Sequence, residues 1–178
     1  MTIEVPLRKD SDSRAIDARG WTVWHYATAL SNLGLIKSLA VHDSDHTASV
    51  LRRAIDGATP LHAFGQIRHV SSSVASNRYT RGHFEASESG EYFRSQRLPA
   101  FNFLFSLVDD CGIQKNDGST TLHEWVSSRY LNPEITKILL DNGIRPGVCR
   151  KDGKTPLHLL LARKDFTSLK NLNENLSL

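Results

Sequence analysis

The sequence predicts an all-α chain built from about four copies of one turn, helix, helix unit, and three observations carry that prediction. A motif in which Gly stands two residues before Thr, and an apolar residue precedes His, recurs four times without internal gaps. The motif histidines, His25, His62, His123 and His158, are 37, 61 and 35 residues apart. Two intervals sit near one period, and the third is a period plus an insertion. Apolar residues spaced by three and four then follow two of the motifs, as one buried helical face requires.

The first unit opens on DARGWTVWHYA (17–27), with Leu35, Ile36 and Leu39 as its second helix. The second opens on AIDGATPLHAF (54–64), and its second helix is expected at about 99–110, where Phe101, Leu104, Leu107 and Val108 recur. Between them lies a stretch rich in Ser and Gly with little periodicity, read as a long loop insertion over 70–97. Ser71, Ser72, Ser73 and Thr80 are conceivable phosphorylation sites in it, against the simpler reading of a tolerated surface insertion. The third unit opens on KNDGSTTLHEW (115–125) and continues with Ile135, Ile138 and Leu139 up to an Asn142-Gly143 stop. The fourth opens on RKDGKTPLHLL (150–160), and Phe166, Leu169, Leu172 and Leu176 are placed to close the array.

Each motif position has a mechanical task. The glycines supply turn conformations barred to other residues, and Asp56, Asp117 and Asp152 are turn acids. Thr22, Thr59, Thr120 and Thr155 cap short helices, two of which begin at Pro60 and Pro156, where a missing N–H costs nothing. The residue before each His (Trp24, Leu61, Leu122, Leu157) is expected to point into the stack.

This unit resembles the ankyrin repeat, most closely in ILLDNGIRPGVCRKDGKTPLHLLLARKD (138–165). The resemblance implies an ankyrin-type solenoid in a single domain over 1–178, with repeats at about 17–53, 54–114 (including the 70–97 insertion), 115–149 and 150–178. It also implies a non-catalytic adaptor or inhibitor that binds a protein through turn tips and the first-helix face, with no cofactor. The residues expected on that ledge are Arg19, Trp21, Trp125, Arg129, Lys151 and Lys154; the competing expectation for Trp125 is that it fills space between helices. Two places after the motif His the family usually has Ala. Only Ala27 complies, while Phe64, Trp125 and Leu160 do not, which predicts a wider or differently curved stack.

Composition narrows the function classes. With 39% hydrophobic and 23% charged residues, the chain is too apolar for disorder throughout and too polar for a membrane bundle. The opening MTIEVPLRKDSDSRAI lacks the apolar run of a secretory signal, and Cys111 and Cys149 have no CxxC or CxxH spacing. A monomer in the cytosol or nucleus is expected, with no membrane contact. The four motif histidines recur in successive units and cannot converge on one metal ion; bracing hydrogen bonds are expected of them instead. His42 and His46 have the spacing of a helical metal pair, but HDSDH has the composition of a turn. Catalysis finds no support, because neither a phosphate loop nor a nucleophile elbow is present. The net charge of +3 arises from the C-terminal end, where residues 145–178 carry seven cations and three acids. Nucleic-acid or polyanion binding there is the alternative reading, weakened by the lack of aromatics for base stacking.

Overall fold

The computed structural model describes residues 12–64, 88–108, 110–128 and 131–163, with only the backbone described over 88–96. Among the described residues there are eight helices and no strand: α1 (Val23–Ala29), α2 (Leu33–His42), α3 (His46–Val50), α4 (Pro60–Ala63), α5 (Glu88–Phe105), α6 (Thr121–Ser127), α7 (Pro133–Asp141) and α8 (Pro156–Leu161). The short helices α1, α4, α6 and α8 pack in succession as an inner layer. Outside them α2 meets α5 and α5 meets α7, forming a second layer.

Every inner helix is entered through the same turn. The turn acid accepts from the backbone N–H two residues on: Ala58 to Asp56 at 3.0 Å, Ser119 to Asp117 at 2.9 Å and Lys154 to Asp152 at 3.2 Å. Asp17 takes over this role in the first turn, accepting from the N–H groups of Arg19 and Trp21 at 2.8 Å each. Adjacent turns are then stitched together through the backbone. The N–H of Ile55 donates to Arg19 O (3.0 Å), that of Asn116 to Asp56 O (2.9 Å) and that of Lys151 to Asp117 O (2.9 Å). A hydrogen-bonded edge therefore runs the length of the described stack.

The outer layer is less regular. Helix α2 is capped by Asn32, whose side chain accepts from Leu35 N–H, and α7 by Asn132, which accepts from Glu134 N–H. Between them α5 begins at Glu88, so residues 88–97 are helix and not the loop expected over 70–97; it stops at Phe105 and not near 110. The misreading has a physical origin. Where its side chains are described, from Arg97 on, α5 buries Arg97, Ala100, Phe101, Leu104 and Phe105 at helical spacing, and the Ser- and Gly-containing sequence before them offers no such apolar stripe. The rest of the insertion, 70–87, and the closing residues Phe166, Leu169, Leu172 and Leu176 lie outside the described residues.

The core sits between the layers. Phe101 of α5 stacks on Phe105 (4.5 Å between centroids), meets Phe64 edge-on (4.8 Å) and lies 6.3 Å from Trp125. Ile36 and Leu39 of α2 and Ile135 and Leu139 of α7 complete it from outside. Two indoles also link the layers by hydrogen bonds: Trp24 Nε1 donates to Asp43 Oδ2 (3.1 Å) and Trp125 Nε1 to Thr136 Oγ1 (3.0 Å). Phe64 and Trp125, bulky where Ala27 is small, are fully buried against the outer layer. Asp43, itself buried, also accepts from Ser13 Oγ and from Asp45 N–H; burial opposes its ionisation, but these donors hold its carboxyl below the usual carboxylate range.

Candidate functional site

The four motif histidines are built identically. In each unit the Thr N–H donates to the His Nδ1, at 3.1 Å for Thr22, 3.2 Å for Thr59, 3.1 Å for Thr120 and 3.2 Å for Thr155. Because Nδ1 accepts, the neutral ring carries its proton on Nε2 and points it toward the next unit. His25 Nε2 meets Ala58 O at 3.2 Å and His123 Nε2 meets Lys154 O at 3.2 Å. His62 Nε2 lies against the carbonyls of Ser119 and Ile113 without reaching hydrogen-bond geometry. Burial pushes the His62 imidazole down to about 4, helped by the positive charge of Lys115, and burial also lowers His25 and His123. His25 and His123 therefore brace one unit on the next.

The other two described histidines, His42 and His46, do not assemble a site either. His42 ends α2 and His46 begins α3, so the pair does not share a helical face. Their Nδ1 atoms lie 2.8 Å from Ser38 O and 3.3 Å from Asp43 O, engaged by local backbone. Among the described residues no three His, Cys, Asp or Glu side chains are grouped to hold a metal, and no helix is long and apolar enough to cross a membrane.

What the fold does present is the stitched row of turn tips. Arg19, Ile55, Asn116 and Lys151 stand side by side on it, all exposed. Arg19 is held in place: its guanidinium lies 4.2 Å from the Trp21 ring centroid and donates to Tyr26 Oη (3.0 Å) and Asp17 (3.4 Å). The Tyr26 hydroxyl donates in turn to Asp17 (2.7 Å). Desolvation opposes ionisation of Asp17, but hydrogen bonds from Tyr26, Trp21 and Arg19 hold it at about 2. Ile55 is 71% exposed at a tip where the other turns carry Ala18, Asn116 and Lys151. An apolar side chain at a turn tip was the signal available in the sequence, and the expected site residues omitted it.

Behind the row runs a ladder of ion pairs between units. Lys115 Nζ, largely buried, sits 3.0 Å from Asp56 of the preceding turn and 3.1 Å from Glu124 of α6. Burial works against the Lys115 charge, but the two carboxylates hold its pKa above the ordinary value; burial pushes Glu124 upward against the pull of that lysine. Arg150 repeats the arrangement one turn on, 3.6 Å from Asp117 and 3.5 Å from Asp152.

Of the residues expected on the ledge, the structure brings Arg19, Lys151 and Lys154 to the surface, with Lys154 paired to Asp152 at 3.1 Å. Trp21 is only 4% exposed and packs with Ala54, Ala58 and Ala63 of the second unit. Trp125 is 0% exposed. Trp21 corrects the ledge expectation by filling space between units, while Trp125 meets the competing expectation that it fills space between helices; neither indole offers a face to a partner. Arg129 lies outside the described residues. A further correction concerns Leu157, expected to point into the stack like Trp24, Leu61 and Leu122; those three are buried, and Leu157 is 57% exposed.

No family model matches the chain. Over 75 residues, 41% of this chain, the sequence is 37% identical to a Rickettsia felis protein named "Putative ankyrin repeat protein". The matched region spans about one third (33%) of the length of that protein.

Proposed function

We propose that this chain is an ankyrin-type repeat module, without catalytic activity, that binds a protein partner through its row of turn tips and acts as an adaptor or inhibitor in the cytoplasm or nucleus. The carrying observation is the continuous stitched edge, which displays Arg19, Ile55, Asn116 and Lys151 on one rigid line. A pre-ordered Arg clamped over an indole, beside an exposed isoleucine, has the anchor chemistry that dominates protein interfaces. The similarity to a protein named for ankyrin repeats supports the same reading.

The test is affinity capture with the full chain and with an Arg19→Ala, Ile55→Asp, Lys151→Ala variant, with captured proteins quantified by mass spectrometry. All three side chains are exposed, so circular dichroism should be unchanged, and the lost Arg19 contacts to Trp21, Tyr26 and Asp17 should lower the melting temperature by a few degrees at most. At least one protein captured by the wild type should fall at least tenfold with the variant. Equal capture by both would remove the turn tips from the binding surface.

A further inference from the structure

The turn-tip row carries some charges that are matched and others that are not. Each turn acid already has a cation beside it: Asp17 has Arg19 at 3.4 Å, Asp56 has Lys115 at 3.0 Å, Asp117 has Arg150 at 3.6 Å and Asp152 has Lys154 at 3.1 Å. Exposed Arg52 and Lys151 form no ion pair among the described residues. Arg53, also exposed, gives its guanidinium to the backbone carbonyl of Gln114 (2.6 Å), a neutral acceptor that leaves its charge unbalanced. Positive charge is therefore left over at the second and fourth turns, and the exposed Ile55 stands in the first of these. The row also has a fixed step. Each turn closes on itself with a backbone bond, such as Ala54 N–H to Ala58 O (2.7 Å) and Arg150 N–H to Lys154 O (2.9 Å), and is then stitched to the next. Two bonded arms per turn at strand spacing advance the row by roughly 10 Å per unit, so the second and fourth turns stand about 20 Å apart, the reach of about six residues of extended chain.

We propose that the turn-tip row takes an extended acidic segment of a partner protein, with one carboxylate at Arg52 and Arg53, an apolar side chain on Ile55 beside it, and a second carboxylate about six residues on at Lys151. This inference rests on the turn tips being the binding surface and adds what they select. Charge complementarity sets the sign: the four turn acids are already paired, so an incoming carboxylate meets surplus cations and no free carboxylate of the turns. The row is a single line of side chains, which an extended chain follows and a helix, needing an apolar groove, does not. Nucleic acid suits it less well. Evenly spaced phosphates would also lie over Asp56, Asp117 and Asp152, and among the described residues no aromatic ring is exposed to stack on a base. A peptide can place its carboxylates only where the surplus lies.

The probe is a random dodecapeptide library displayed on phage and panned on the full-length protein. The enriched pool should be more acidic than the unselected library, with an apolar residue between its acids. A synthetic copy of the most enriched peptide, followed by fluorescence anisotropy, should lose at least tenfold in affinity when its Asp and Glu become Asn and Gln. It should also lose at least tenfold on the Arg52→Glu, Lys151→Glu variant, whose replaced side chains are both exposed. If that variant melts lower than wild type, Arg52→Gln, Lys151→Gln decides, with a smaller loss in the same direction. A pool that is not enriched in acids, or an acidic peptide that binds these variants as tightly as wild type, overturns the proposal. A neutral pool whose binding is lost in Arg19→Ala, Ile55→Asp, Lys151→Ala overturns it while leaving the turn tips as the binding surface. An acidic pool indifferent to every one of these variants removes the turn tips as well. Stoichiometric displacement of the peptide by single-stranded oligothymidylate would overturn the proposal in favour of a nucleic-acid surface.

Discussion

The inner and outer layers of this molecule are held by different kinds of force. Inner helices of four to seven residues are too short to be stable alone; what fixes them is hydrogen bonding, from turn acid to N–H, from Thr to His and from turn to turn. Each starts one residue after its motif Thr because the bonding pattern does not vary. The outer helices, of 10, 18 and 9 residues, lack this repeated turn. Helices α2 and α7 share an Asn cap, and an indole hydrogen bond reaches the C-cap residue of α2 and Thr136 within α7, but their lengths follow mainly the apolar surface they cover. A directional bond demands one residue type at one position, whereas burial accepts any apolar side chain of suitable size.

The largest expected effect breaks the seam where the two layers meet. Trp125→Ala removes a fully buried indole packed near Phe101 and the bond it gives to Thr136 Oγ1, and should cost about 3–5 kcal/mol in urea unfolding. Val41→Ala, on the solvent face of α2 at 81% exposure, should change stability by less than about 0.5 kcal/mol. If Trp125→Ala costs under about 1 kcal/mol, the indole is not the wedge between layers.

The same division explains what was legible in the sequence. Four inner helices were readable to within a residue or two at their starts, because Asp, Gly, Thr and His are each required by a bond. The outer helix α5 was only half readable: where its side chains are described, Arg97, Ala100, Phe101, Leu104 and Phe105 are buried at helical spacing, and the Ser- and Gly-containing sequence before them carries no sustained apolar periodicity. Pro99 added to the confusion, since a proline usually marks a helix start; here it lies inside α5, exposed, and gives up one bond of the helix. The surface was misread for another reason. Trp and Arg are the residues an interface favours, but Trp is also the residue a junction buries, and composition does not separate the two uses. Arg19 shows both at once, its charge exposed and its stem laid on the buried Trp21.

Acid sharpens the contrast next. His62 falls from its ordinary 6.5 to about 4, so the unfolded chain takes up a proton on this ring that the folded chain refuses. Stability from this group is whole above pH 6.5 and is lost progressively between 6.5 and 4, by up to about 3 kcal/mol for a shift of this size. His25 and His123 are shifted in the same direction and should add to the slope. Asp17 acts in a different window: its carboxyl is lowered from 3.8 to about 2, so its contribution disappears only below pH 3.8. Melting temperatures measured from pH 7 to 4.5 should fall, and less steeply in His62→Gln. An identical slope in that variant would assign the acid sensitivity elsewhere.

The smallest expected effect compares two glycines that have the same backbone conformation but different neighbours. Gly118, in the third turn, has φ +84, and Gly143, which closes α7, has φ +81. Left-handed backbone costs any L-residue about 1–2 kcal/mol relative to glycine, so each Gly→Ala change carries that penalty. At Gly118 a methyl group would also stand 3.1 Å from Arg150 Cα and 3.2 Å from Lys151 N, backbone atoms of the next turn that the stitching bond to Asp117 holds in place. At Gly143 a methyl group would meet nothing within 4 Å. Gly118→Ala should therefore exceed Gly143→Ala by about 1 kcal/mol in denaturant unfolding, a further overpacking cost at the low end for a crowded site. Its amide-exchange signature should also differ: Lys151 N–H, bonded across the junction, should exchange faster in Gly118→Ala and be unaffected in Gly143→Ala. Equal costs for the two substitutions, with Lys151 N–H protected in both, would mean that adjacent turns can separate without loss and that hydrogen bonding between them does not set the inner layer.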